Sequence, residues 1–210
     1  MEKLLIFDLD DTLFETKSIS KKSVKPIFDA FEPLLINKFG TVLTSQIVPE
    51  LWKYPFDVVA DKYNFDAHQN AEFARLINTH EYDLNIHPFE DFNVITSLPY
   101  EKILVTTGFS KLQHAKIHSL GIKEQFHEIY IDDILSPERI YKKGIFQRIL
   151  MKRKRNSKLV YIIGDNPNSE LKAGFELGLQ TIQVSKFGQE KSRYAHYCIS
   201  NFNDLLAILK

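Results

Sequence analysis

The sequence predicts an α/β fold, a doubly wound parallel sheet with a helical segment inserted near its start. Three observations predict it. Leu4 to Phe7 is an uninterrupted apolar run of the kind buried on both faces of a sheet, and it ends on Asp8, Asp10 and Asp11. Glu15 to about Tyr82 shows apolar residues at three- and four-residue steps and no strand pattern. From Pro99 onward, strand, turn and helix alternate, which implies a parallel sheet with right-handed crossovers.

Taken in order, the first strand comes with its acids. Side chains alternate along an extended segment, so Asp8 and Asp10 point the same way while Leu9 packs beneath. Two acids at one spot do not both ionise freely, so the pair calls for a cation, a shared proton, or both. In the helical segment, Ile27, Phe28, Phe31, Leu34, Leu35 and Phe39 make the stripe of an amphipathic helix. Pro26 stands near its start, Gly40 past its end, and a kink is expected at Pro33. Thr44 is placed to cap a second helix bearing Ile47, Val48, Leu51 and Trp52, which Pro55 breaks before Phe56, Val58 and Val59. Asp66 and Gln69 form a capping-box pattern opening a third, with Phe73, Leu76 and Ile77 as its stripe. The many aromatics of this small bundle are read as its core rather than as a substrate pocket.

Beyond Pro99, Ile103 to Thr106 is a buried-type strand, and Ser110 to Leu120 a helix with Ser110 as cap and Gly121 as its stop. Glu128 to Ile131 is the next strand and Ile145 to Met151 a helix. Leu159 to Ile163 is a strand, Ser169 to Leu177 a helix and Thr181 to Val184 a strand, with Tyr197 to Ile199 as an edge strand and Phe202 to Leu209 as a closing helix. Ligands of such sheets bind outside the carboxyl ends of the strands. Asp8 and Asp10, the Thr106-Thr107-Gly108 run, and Gly164-Asp165 through Glu170 all stand at such ends, so three strand ends converge on one site.

The 210 residues allow one domain of ordinary size or a core carrying an insert, and 44% hydrophobic content is enough for a real core. Equal numbers of acidic and basic residues, 27 each, argue against general attraction to nucleic acid or to anionic membrane. An anion must then be bound by local chemistry. The single cysteine, Cys198, has no partner for an internal disulfide and suggests a reducing compartment, and no run approaches a signal or membrane segment; the expectation is a cytoplasmic protein, a monomer or weak dimer. His114 and His118 share a helix face at a metal-binding spacing but lack an evident third ligand, and are read as solvated. Lys152, Arg153, Lys154, Arg155 and Lys158 fall at a helix end, where cations complement the dipole.

Asp8-Leu9-Asp10-Asp11-Thr12-Leu13 resembles the first motif of the haloacid dehalogenase (HAD) superfamily of phosphotransferases. Ile103 through Gly108 is similar to the second motif, an apolar strand ending in Thr. Ile162-Ile163-Gly164-Asp165 through Glu170 is similar to the fourth, a Gly-Asp followed by a second acid, here Glu where Asp is commoner. The third motif is a lysine ahead of the fourth strand; Ile145 and Phe146, repeated as Ile149 and Leu150, select Lys142, with Lys143 as the alternative. The resemblance implies a Rossmann-like HAD core over residues 1–14 and 86–210 and a helical type 1 cap over 15–85.

It implies chemistry as well. Asp8 would attack phosphorus, and Asp10 would protonate the leaving oxygen and then take a proton from the hydrolytic water. Thr106 and the backbone N–H groups of Thr107 and Gly108 would bind the phosphoryl group, and Lys142 would neutralise it. Mg²⁺ would be held by Asp8, the carbonyl of Asp10 and Asp165, with Glu170 behind them. Asp11 and Thr12 would shape the turn. The implied function is a Mg²⁺-dependent phosphatase of a small phosphorylated metabolite. A phosphomutase of the β-phosphoglucomutase kind shares every motif, and a receiver-like signalling module is the alternative outside enzymes. A dehalogenase needs no acid/base residue of the kind Asp10 represents.

Overall fold

The computed structural model describes residues 3–52 and 54–210. Six strands, β1 (Leu4–Phe7), β2 (Glu101–Gly108), β3 (Glu128–Asp133), β4 (Val160–Gly164), β5 (Gln180–Val184) and β6 (Tyr197–Ile199), form one parallel sheet in the order β3-β2-β1-β4-β5-β6. The expected doubly wound α/β fold is the fold found. β1 lies between β2 and β4, and the chain winds away from it on both sides.

The apolar run of β1 explains its central place. Leu5 and Phe7 enter one core with Leu104, Ile163 and Ile182, while Leu4 and Ile6 enter a second, on the opposite face, with Ile103, Val105 and Ile162. All four are essentially without solvent exposure. Each such side chain contributes roughly 1.5–3 kcal/mol when fully buried. The pairing register sets Phe7 level with Leu104 and Ile163, and the Asp8 N–H donates to the Ile163 carbonyl at 2.9 Å. Asp8 therefore emerges beside the ends of both neighbouring strands.

Helices α1 (Lys21–Leu51), α2 (Phe56–Tyr63) and α3 (Ala67–Thr79) form the insertion, with a core of their own around Phe31, Leu35, Ile47, Phe56, Phe65 and Phe73. Phe56 and Phe73 stack at 4.2 Å between ring centroids. Phe109 reaches this cluster from the sheet-bearing part. The Asp66–Gln69 capping box is formed as the sequence predicts, and Pro55 stands at the N-cap of α2. Two expectations fail. The kink lies not at Pro33 but at Gly40, whose φ of 74° and ψ of 167° interrupt α1, a conformation open to glycine. Thr44 caps nothing: it lies within α1, buried, its hydroxyl without a partner.

The remaining helices are α4 (Phe92–Ser97), which the sequence reading did not anticipate, α5 (Ser110–Leu120), α6 (Tyr141–Arg153), α7 (Lys172–Glu176) and α8 (Leu205–Ile208). Phe109, not Ser110, holds the N-cap of α5 and makes no side-chain cap, while Gly121 ends that helix in the left-handed conformation. The helix expected from Ser169 begins as a wide π-type turn over Pro167–Leu171, with Ser169 at φ −116° and ψ −105°, before α7 takes over. Near the end of α6, Lys152 and Arg153 pair with Glu128, and Arg153 and Arg155 with Glu101, so the basic cluster is largely spoken for. Among the described residues, no helix is long and apolar enough to cross a membrane.

Candidate active site

The ends of β2, β1 and β4 lie side by side and deliver the polar residues that follow them. Asp8 is almost fully buried directly after β1, and the Lys142 ammonium, from the first turn of α6, donates to Asp8 Oδ1 at 2.7 Å and to Glu170 Oε2 at 2.7 Å. Lys143 points elsewhere and pairs with Glu176 at the surface. Of the two candidate lysines, Lys142 alone meets the acids.

Glu170 arrives there through its local backbone. The irregular turn at Ser169 directs its side chain back beneath β4, where its second oxygen accepts from the Asn166 N–H at 2.6 Å. Gly164 leaves the room: a Cβ at that position would overlap the Glu170 carboxylate. Asp165 completes the group, and oxygens of Asp8, Asp165 and Glu170 lie within 4.8 Å of one another. Thr12, assigned only to the turn, also donates to Asp165 Oδ1 at 3.2 Å, while Asp11, at φ 53°, accepts from the Thr16 N–H and does shape the turn.

Electrostatics explain what this cluster can hold. Burial, with the Glu170 and Asp10 charges adding, pushes the Asp8 carboxyl from 3.8 up to about 7 against the opposing pull of Lys142. Burial and the neighbouring Asp8, Glu170 and Asp11 raise Asp165 to about 8. Burial works against the Lys142 ammonium, yet Asp8 and Glu170 outweigh it and hold its pKa above the ordinary value. One ammonium balances one of three carboxyls, so the other two ionise readily only beside further positive charge, and oxygen donors of this kind suit a hard divalent cation. The donor set fits Mg²⁺.

Asp10 stands apart from that cluster. Its carboxylate accepts from Lys116 Nζ at 2.6 Å and from Gln113 Nε2 at 2.8 Å, both from α5. Gln113 Nε2 also donates to Thr106 Oγ1 at 2.5 Å, which ties the end of β2 to Asp10. The Thr107 hydroxyl turns the other way, to Asp132 of β3, and Gly108 lies against Gln113, where a Cβ would come 2.9 Å from its amide carbon. Sequence reasoning missed Gln113 and Lys116. The signal was present: the buried stripe of α5 is Gln113, Lys116, Ile117 and Leu120, a helical i, i+3, i+4, i+7 spacing with two polar residues where apolar ones are usual.

His114 and His118 line a cleft of about 680 Å³ between α5 and residues 81–87, and His87 lines it too. Among the described residues, only Asp8, Asp165 and Glu170 form a group able to hold a metal ion.

No curated protein matches this sequence. Solved structures do resemble it. A haloacid dehalogenase-like hydrolase from Streptococcus pneumoniae is 17% identical with a TM-score of 0.68, covering 100% of this chain and 99% of its own. The YfnB protein of Bacillus subtilis, described as a HAD-hydrolase bound to magnesium, is 18% identical with a TM-score of 0.63 and the same coverage. The L-2-haloacid dehalogenase of Xanthobacter autotrophicus is 14% identical with a TM-score of 0.59, over 100% of this chain and 98% of that one. At these identities the likeness is one of fold. The family model for haloacid dehalogenase-like hydrolases matches residues 5–184, from the strand that presents Asp8 through the strand after Asp165, and the chain therefore belongs to that family.

Proposed function

We propose that this chain is a Mg²⁺-dependent phosphohydrolase of small phosphomonoesters, working through an aspartyl-phosphate on Asp8. One observation carries the reading: two carboxylates two residues apart have separate surroundings, Asp8 among Lys142 and the acid cluster, Asp10 bound to α5. Acids held in different environments suit different roles, a nucleophile and an acid/base group. Breaking a carbon–halogen bond requires no proton on the leaving group, so the family's dehalogenase chemistry leaves Asp10 without a task.

Asp8, Asp165 and the Asp10 carbonyl would hold the ion, with Glu170 behind them orienting Lys142. A bound Mg²⁺ supplies positive charge that keeps Asp8 ionised and offsets the charge of the phosphoryl group; the magnesium of the Bacillus subtilis structure supports this choice of ion. In the first step an Asp8 oxygen bonds to phosphorus while the bond to the leaving oxygen breaks and that oxygen takes a proton from Asp10. In the second, water replaces Asp8. Lys142, the Thr106 hydroxyl and N–H groups at Thr107 and Gly108 stabilise the charge that moves between them. Residues 15–85 would act as a cap over the core formed by 1–14 and 86–210.

The test is hydrolysis of p-nitrophenyl phosphate or acetyl phosphate, expected with Mg²⁺ and abolished by EDTA. Asp8→Asn should remove turnover while phosphate binding survives. An active Asp8→Asn protein would overturn the assignment of the nucleophile.

A further inference from the structure

We propose that Gln113 and Lys116 are positioning residues for the hydrolytic half of the reaction, fixing the Asp10 carboxylate where it meets the attacking water; this rests on the phosphatase reading above. Neither residue is there for packing alone. Gln113 is 1% exposed and Lys116 7%, and burying an amide and an ammonium on a helix face is costly unless each finds a partner. Both find Asp10. Lys116 takes Oδ1 and Gln113 takes Oδ2, so the carboxylate is gripped at both oxygens and its rotation is blocked.

The amide makes a second selection. Gln113 Nε2 also donates to Thr106 Oγ1, so the hydroxyl acts as acceptor in that contact and its own hydrogen is left to be donated elsewhere. The absent side chain of Gly108 makes room for the amide that does this. Every part of the hold belongs to β2, the turn after β1, and α5; none comes from residues 15–85.

The consequence concerns which molecule receives the phosphoryl group. In the second step the water oxygen bonds to phosphorus as the bond to Asp8 breaks, a water proton passes to Asp10, and inorganic phosphate leaves. A base held by the core alone stays in place whatever the helical insertion does, so the aspartyl-phosphate meets water without waiting for a second substrate. A mutase has to withhold its base from water until a hydroxyl acceptor arrives. This arrangement favours hydrolysis.

The experiment follows p-nitrophenyl phosphate by stopped flow in wild type, Lys116→Met and Gln113→Glu, the last keeping the shape of the side chain while losing its donors. Nitrophenolate leaves without needing a proton, so the first step should survive in both variants and the second should slow. The expected result is a burst of one equivalent of nitrophenolate, a later rate reduced about ten-fold or more, and a phosphoryl mass added to the intact protein. A purely structural role would not produce that phosphoenzyme. Variants that turn over at the wild-type rate, or that slow without a burst or an added phosphoryl group, overturn the assignment. Wild-type protein that hydrolyses no phosphomonoester overturns the phosphatase reading instead.

Discussion

At Asp8 and Asp165, burial and crowding disfavour the charge that the proposed chemistry needs. Both carboxyls are raised in the folded protein, to about 7 and about 8 from an ordinary 3.8. Between those limits the folded, metal-free chain binds more protons than the unfolded one, so its stability is greatest at the acid end of the window and falls as pH rises towards 8. EDTA-treated protein should therefore melt at a lower temperature at pH 8 than at pH 5.5, and Mg²⁺ should narrow the gap. Asp165→Asn, which removes one of the two groups, should flatten the slope; a slope unchanged by that substitution would mean the carboxyl is already ionised. At this scale the sequence was informative about types and silent about partners. Asp8, Asp10, Asp165 and Lys142 stand out because acids and a lysine at strand ends and helix starts have few structural uses. Gln113 and Lys116 do not, because a glutamine and a lysine on a helix look like solvated residues until the helix is docked.

Elements show the same division. The parallel strands were legible since buried β-strands carry continuous apolar runs, and the Asp66–Gln69 capping box because its two bonds are local. The course of α1 was legible in part: Gly40 was expected past the end of a first helix and the helical conformation does break there, but the kink expected at Pro33 is absent. Pro33 loses one backbone donor yet fits the helix, whereas Gly40 adopts a φ of 74° so that the chain can turn and pack both halves of α1 on α2 and α3. Gly40→Ala meets no atom within 4 Å, so its cost is conformational, about 1–3 kcal/mol for a backbone region almost confined to glycine, measurable by urea unfolding; an unchanged midpoint would show that the bend tolerates a side chain. Gly164→Ala is a different case. Its Cβ overlaps a Glu170 carboxylate pinned by Lys142 and the Asn166 N–H, and the expected loss is about 1–3 kcal/mol together with slower turnover.

Across the whole molecule, Arg139 joins the helical insertion to the sheet. Its guanidinium grips Asp132 of β3 through two bonds of 2.9 Å and reaches Asp57 of α2 at 2.8 Å. Asp57→Ala breaks only the second tie, which is partly exposed, and should cost about 1 kcal/mol or less in stability. If residues 15–85 close over the site, the same variant should raise KM for phosphomonoesters well beyond what so small a loss accounts for; an unchanged KM would count against the cap. The sheet order has a separate consequence, for how the chain is born. Leu4–Phe7 leaves the ribosome before either of its two neighbours, which begin at Glu101 and Val160. A sticky, greasy ribbon thus waits with neither flank covered until β2 appears and with one flank bare until β4 does, while the helices behind it can already assemble. Nascent chains stalled before Val160 should bind chaperones and resist release, and those stalled beyond Val184 should let go.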